Sequence, residues 1–384
     1  MQIFVHLHKQ LLIFMKKNHI TMICAGLLAV SACSLKAQSN YTVTIPVAPE
    51  NNNAMAYLFD WDSSQKVDSV IVTDGVAKFS GNVSEPFIGR LVVDGERGPI
   101  FIVEPGNVTL SDGWAASGTP LNDKMESYTK RRNEIVAEFR ALDQNDSTQM
   151  EKGKVLEAEY MSLPTKAYEE NKGNLVGLYW FLQEVYDMEL DVAKLDALIA
   201  QDASLAKSKR IDSFRTNLVA KDATSEGKHY KDFTVSYNGK EEKLSDYVKP
   251  GKYTLVDFWA SWCGPCIRQT KVIKELYNKY KDKGLDVVGV AVWDEPENTL
   301  KAIKSHDLQW PCIINAQTIP TDLYGISGIP CIILINPEGI IVSRDKQSQA
   351  LIDDVDNAMA SYEASQPQAS VAVPTAEKDT ALIF

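Results

Sequence analysis

Cysteine and histidine are scarce in this chain of 384 residues, which holds six of the first and five of the second. Cys24, Cys33, Cys263, Cys266, Cys312 and Cys331 are too few for a disulfide-stapled scaffold, which crowds its cysteines into a short exported domain. His6, His8 and His19 fall near the start, leaving His229 and His306, so a Cys/His zinc cage is poorly supplied and no metal is expected. Basic charge is also in deficit, with 40 Lys and Arg against 51 Asp and Glu and a net charge of -11. Residues 1–33 carry Lys9, Lys16 and Lys17 and no acid, so their removal takes the charge three lower, to -14. Nucleic-acid binding needs a basic surface and is set aside as a function; the acidic excess serves solubility. No apolar run reaches the roughly 20 residues that a membrane-crossing helix needs. What remains, 45% hydrophobic and 24% charged residues, is ordinary globular composition, at a length that suggests two or three domains.

The apolar run Ile20 to Ala32 follows Lys16 and Lys17 and suits the core of an export signal. Val30-Ser31-Ala32-Cys33 resembles a lipobox, in which small residues precede a cysteine that becomes lipidated. Ordinary cleavage after Ala37, with Leu35 and Ala37 at the specificity positions, competes with that reading. On either reading the mature chain is expected in the cell envelope, on the periplasmic side of a membrane. On the first it is anchored there through Cys33.

Three regions follow. From residue 40 to 118, alternating runs such as Tyr41-Thr42-Val43-Thr44-Ile45 are separated by Asp74-Gly75, Asp94-Gly95 and Pro105-Gly106, turn signals spaced as in a compact β-sandwich. This predicts a small antiparallel β domain of about seven strands, with no cysteine, histidine or clustered acid pair, read as a docking or spacing module, with a ligand-binding module as the alternative. From 121 to 219 strand signals vanish, and apolar stripes such as Ile135, Val136, Phe139 and Leu142 predict a helical connector of four or five helices. The aromatic-rich Leu175 to Leu190 reads as a buried helix in preference to a peptide groove. Ala220 to Lys228, small and polar, reads as a linker. From 226 to 362 strands and helices alternate in the order β-α-β-α-β-β-α, an α/β domain. Residues 363–384, rich in Pro, Ala, Ser and Thr near their middle, read as a disordered tail.

The chemistry centres on Trp262-Cys263-Gly264-Pro265-Cys266. The apolar run Tyr253 to Trp259 precedes it as a buried strand, and Ile267 to Lys281 follows as a helix. A thiol exchanges disulfides only as thiolate, and a helix start offers Cys263 backbone N–H groups and a positive dipole end that favour that form. Pro265 suits the first helical turn, where its missing donor would have no partner, and Gly264 keeps the turn open. Cys263 is the expected nucleophile and Cys266, one turn deeper, the resolving thiol. A static disulfide or a zinc half-site is the structural alternative, and no second Cys-x-x-Cys exists to complete a zinc site.

These residues, with their flanking strand and helix, resemble the TlpA/ResA-like thiol–disulfide oxidoreductases of the thioredoxin superfamily over roughly residues 230–362. The β-rich N-terminal domain resembles one often fused to such proteins. The resemblance implies that Asp257 is a buried acid behind Cys266, where burial raises its pKa and suits it to accept a proton. It implies that Ile329-Pro330 is a cis-proline facing the dithiol and offering backbone groups to a substrate strand. Trp259 and Trp262 are expected to rim Cys263, with Trp262, Gly264, Pro265, Ile329 and Pro330 touching substrate. The sequence departs from the family at Gln269 and Lys271, where many members carry glutamate and proline, so an unkinked first helix is expected. It also adds Cys312 and Cys331. Both are read as buried, unreactive thiols, with Cys331, next to the cis-proline, as a candidate second thiol.

The expected function is therefore an exported thiol–disulfide oxidoreductase without a cofactor, reducing protein disulfides in exported clients. A membrane electron-transfer protein would recharge it. An oxidant or isomerase of the same fold, and a client-binding module with secondary redox activity, are the alternatives. A peroxidase is disfavoured, because the site lacks Thr-x-x-Cys and carries an adjacent resolving cysteine.

Overall fold

The computed structural model describes residues 40–143, 146–185 and 188–366. The expected leader with Cys24 and Cys33, and the tail beyond residue 366, lie outside the described residues. Eight strands come first among the described residues: β1 (Tyr41–Pro46), β2 (Met55–Asp60), β3 (Lys66–Ile71), β4 (Val76–Gly81), β5 (Phe87–Val93), β6 (Glu96–Val103), β7 (Gly106–Leu110) and β8 (Ala116–Ser117). They form two four-stranded sheets, ordered β4-β1-β7-β8 and β3-β2-β5-β6. Alternation decides which residues meet: Val43, Ile45 and Phe79 of one sheet share a core with Leu58, Val93 and Phe101 of the other. The expected sandwich is present, except that β1 pairs with β7 in parallel, so the domain is not purely antiparallel.

Among the described residues the helical region holds six helices, α1 (Pro120–Arg140), α2 (Ser147–Glu170), α3 (Leu175–Glu184), α4 (Val192–Gln201), α5 (Ala203–Lys207) and α6 (Lys209–Asp222). That exceeds the four or five expected because Ser208 interrupts the last segment. Its backbone is extended, which breaks the helical path, and its side chain accepts the Ile211 N–H as the N-cap of α6. The aromatic stretch forms a buried helix over Leu175–Glu184, shorter than the Leu175 to Leu190 read from the sequence: Trp180, Phe181 and Leu182 of α3 are inaccessible to solvent or nearly so.

Residues 220–228 are not a free linker. Helix α6 continues to Asp222, and the fully buried Thr224 accepts an Arg344 Nη1 hydrogen bond at its hydroxyl (2.6 Å) and another at its carbonyl (2.8 Å). Gly227 N donates to Ile341 O at 2.8 Å. Small polar residues look like a linker in sequence, yet here they are small because they are packed. The other end of α6 is clasped as firmly. Asp62, from the β2–β3 turn, accepts Ser208 Oγ at 2.6 Å, Lys209 N at 2.7 Å and Arg210 N at 3.1 Å.

The C-terminal domain begins with a hairpin of β9 (Thr234–Tyr237) and β10 (Lys240–Lys243), then runs β11 (Tyr253–Trp259), α7 (Gly264–Tyr280), β12 (Leu285–Ala291), α8 (Pro296–Ser305), β13 (Cys312–Ile313), α9 (Ile319–Tyr324), β14 (Cys331–Ile335), β15 (Ile341–Arg344) and α10 (Ser348–Ser365). The helix α9 went unread in the sequence, and α10 runs past Tyr362 into the stretch assigned to the tail. Five strands are ordered β13-β12-β11-β14-β15, with β11 parallel to β12 and antiparallel to β14. Both faces are covered, which is why β11 and β12 read as continuous apolar runs. Val256 and Phe258 pack on one face with Val288, Val290 and Ile333. Leu255 packs on the other with Ile273 and Leu276 of α7 and Val355 of α10.

Candidate active site

At the C-terminal end of β11 the chain turns into α7, and Cys263 is that helix's N-cap: its Sγ accepts the Cys266 N–H at 3.1 Å. Pro265 stands in the first turn, as its missing donor predicts. Cys263 and Cys266 are joined in a disulfide with Cα atoms 5.2 Å apart. Cys266 is fully buried and Cys263 nearly so, while Trp262, Gly264 and Pro265 around them are exposed. Across from the pair the Ile329–Pro330 peptide bond is cis, and the Ile329 carbonyl oxygen lies 3.8 Å from Cys263 Sγ. The structure thus gathers Cys263, Cys266, Trp262, Gly264, Pro265, Ile329 and Pro330 at one end of the sheet.

The two tryptophans divide. Trp262 is 59% exposed, with its indole N–H fixed to the Trp293 carbonyl at 2.9 Å. Trp259 is buried in a cluster with Cys263, Cys266 and Ala302, so it forms the floor of the site and not its rim. Alternation along β11 placed it there: Leu255, Asp257 and Trp259 all point towards α7.

Asp257 is 1% exposed, and its Oδ1 has no hydrogen-bond partner. Burial with no compensating charge pushes its pKa up from 3.8 to about 7. In register it stands between Ile332 of β14 and Gly289 of β12. The acid is thus poised to hold or release a proton near neutrality, on the face of the sheet that carries the dithiol.

Three further residues hold this geometry, and of these Asp294 alone was not singled out from the sequence. Buried Asp294, after β12, accepts Ser261 N (2.7 Å), Ser261 Oγ (2.9 Å) and Thr299 Oγ1 (2.8 Å), which locks the turn ahead of Trp262 and Cys263. Its only sequence signal is an acid just past a strand's C-terminal end. Gln269 uses both ends of its amide on the first residue of α10, donating to Ser348 Oγ at 3.1 Å and accepting Ser348 N at 3.0 Å. The family's glutamate position therefore ties two helices together here, and α7 runs unbroken through Lys271. Cys312 packs against the dithiol cluster.

Cys331 does not. Although it follows Pro330, its side chain enters the opposite face of the sheet beside Phe258 and Ile333, and its thiol donates to Asp345 Oδ1 at 3.1 Å. Burial, then the Asp345 carboxylate, push its pKa well above the ordinary thiol value. Its expected place as a site-proximal thiol is corrected by the parity of the strand. Cys312 and Cys331 also cannot pair. Two strands separate β13 from β14, putting them about 14 Å apart at ~4.8 Å per strand, twice the reach of a disulfide at about 7 Å.

A thioredoxin-like sheet with a Cys-x-x-Cys disulfide at a helix start defines a thiol–disulfide oxidoreductase. Comparison with known proteins agrees. A model of the AhpC/TSA family matches residues 227–344, and one for a domain of unknown function (DUF4369) matches 41–125. The thiol-disulfide oxidoreductase ResA of Bacillus subtilis (strain 168) is 30% identical over 148 residues, covering 38% of this chain and 82% of the relative. A ResA of Bacillus cereus is 33% identical over 120 residues, covering 31% of this chain and 68% of the relative. Among solved structures, the thioredoxin domain of a thiol-disulfide oxidoreductase from Bacteroides vulgatus is 31% identical, covering 36% of this chain and 97% of that one, with a TM-score of 0.31. The chain belongs to the TlpA/ResA-like thiol–disulfide oxidoreductases.

Proposed function

We propose that the protein reduces disulfides in exported client proteins, with Cys263 as nucleophile, Cys266 as resolving thiol and Asp257 as proton acceptor. The observation that carries this reading is the dithiol at the N-terminus of α7, facing the Ile329 carbonyl across the cis-proline. In the reduced enzyme the helix start favours the Cys263 thiolate. That thiolate attacks one sulfur of a client disulfide, a Cys263–client bond forms, and the client's other sulfur leaves as a thiolate. Cys266 then loses its proton to the Asp257 carboxylate and attacks Cys263 Sγ. The Cys263–Cys266 bond forms and the second client sulfur leaves, taking its proton from water. Two electrons have passed from the dithiol to the client, and a membrane electron-transfer protein restores the dithiol. Trp262, Gly264, Pro265, Ile329 and Pro330 border the client strand.

The Gly-Pro pair between the cysteines, like that of thioredoxin, supports reduction over oxidation. The leader read in residues 1–33 supports export, with Cys33 as the lipid anchor. Among the described residues no helix is long and apolar enough to cross a membrane. The deciding experiment is trapping. Cys266→Ser is expected to accumulate clients disulfide-linked to Cys263, whereas Cys263→Ser accumulates none and loses insulin-disulfide reduction. A purified chain that exchanges with no disulfide, or a dithiol far more oxidising than thioredoxin's, overturns the reductase reading.

A further inference from the structure

One thiol beneath the dithiol has no part in the steps above. Asp257 pairs with Gly289 on β12, and Gly289 pairs with Cys312 on β13, so the three lie in a row across the sheet with Asp257 and Cys312 on one face. The middle of the row has no side chain. A methyl group on Gly289 would stand 2.8 Å from Cys312 Sγ and 3.0 Å from Trp259 Nε1, so the thiol and the indole edge fill the space above the glycine. Trp259 Nε1 and Asp257 Oδ1 are both buried without a hydrogen-bond partner. Leu285 to Ala291 carries no lysine, so no cation on the adjacent strand reaches the acid.

We infer that Cys312 is a positioning residue for Asp257: held over Gly289, its neutral thiol closes the side of the acid away from β14, so that the carboxyl trades its proton with Cys266. This rests on the reading of Asp257 as proton acceptor. The thiol suits the task because it is compact, a poor hydrogen-bond donor and uncharged. Burial first, and then the charge of Asp257, push its pKa up to about 12. The other titratable groups around the row are Cys266 from α7, Glu242 from β10, which also acts on Cys312, and Tyr247, whose hydroxyl donates to Glu242 Oε1 at 2.6 Å. Leu255, Trp259, Ile332, Ile303 and Leu308 supply the neutral remainder. The thiol's own contact is with the Trp310 carbonyl, 3.9 Å away, and Asp257 acts on it through its charge; a hydroxyl in its place is a more polar neighbour for the acid and favours the charged form.

The test uses the full chain, reduced and mixed with 5,5′-dithiobis(2-nitrobenzoate) at a series of pH values. Attack by Cys263 releases one thionitrobenzoate, and resolution by Cys266 releases the second. Cys312→Ser is expected to lower the pH midpoint of the second release by about half a unit or more, leaving the first unchanged. Cys312→Val, which restores an apolar wall, keeps the midpoint at the wild-type value. A Cys312→Ser profile that superposes on wild type, while Asp257→Asn abolishes the pH-dependent limb, overturns the inference and leaves Asp257 in its role. A limb that survives Asp257→Asn overturns both. Thermal melts of each variant separate these results from loss of fold.

Discussion

The two faces of the five-stranded sheet put the same residue type to opposite uses. On the face towards α7, half-buried Cys312 shares a pocket with Trp259, Cys266 and, across Gly289, the unpartnered carboxyl of Asp257. On the other face Cys331 is a peg. Its thiol fixes the strand after Pro330 to Asp345, which also takes Lys221 of α6 at 3.3 Å and Arg344 at 3.4 Å. One face leaves polar groups unpaired in a low-dielectric space, which displaces an acid's pKa. The other pairs its groups and joins the helical region to the sheet. Reactivity collects where partners are withheld, and anchoring where they are supplied.

The largest expected effect comes from Asp257→Asn. Between pH 3.8 and about 7 the folded chain keeps a proton that the unfolded chain releases, so wild-type stability falls as pH rises through that window. The amide removes this slope. Urea unfolding is expected to show no gain at pH 3 and a gain of up to about 4 kcal/mol above pH 7, in a protein whose disulfide exchange is slower. A variant with the same pH slope as wild type breaks the contrast between faces. Next is Arg344→Met, which strips donors from the carbonyls of Thr224 and Tyr324. A loss of about 3 kcal/mol is expected, with exchange per folded molecule unaltered. Asp294→Ala removes the acceptor for Ser261 and Thr299 at the dithiol's own end of the sheet. It should cost about 2 kcal/mol and slow client reduction, with a change in Trp262 fluorescence reporting the loosened turn. The smallest effect belongs to Cys331→Val: under about 1 kcal/mol and no change in exchange rate or its pH profile. A kinetic effect there would mean that the peg is part of the chemistry after all.

Much of the site was legible because it is local. The pentapeptide, the strand before it, the helix after it and Ile329-Pro330 each announce themselves within a few residues. What escaped was parity and packing. Cys331 adjoins the cis-proline in sequence yet pairs with Phe258 and faces away, while Cys312 pairs with Gly289 and faces the dithiol. A shift of one residue would exchange the two, and register between strands distant in sequence is settled by the whole core. Thr224 and Gly227 likewise passed for a linker because smallness is shared by mobile and by tightly packed backbone. The parallel β1–β7 pair has the same origin, since alternation marks a strand without naming its neighbour.

Helix α6 carries a consequence for the geometry of the fold. Its first turn is gripped by Asp62 of the sandwich, and its far end abuts Gly325, where a side chain would collide with the backbone of Asn217 and Lys221. Fourteen residues make a rod of about 21 Å. The turn that carries Asp62 and the loop that carries Gly325 are therefore held one helix length apart, and bending α6 would break contacts at both of its ends.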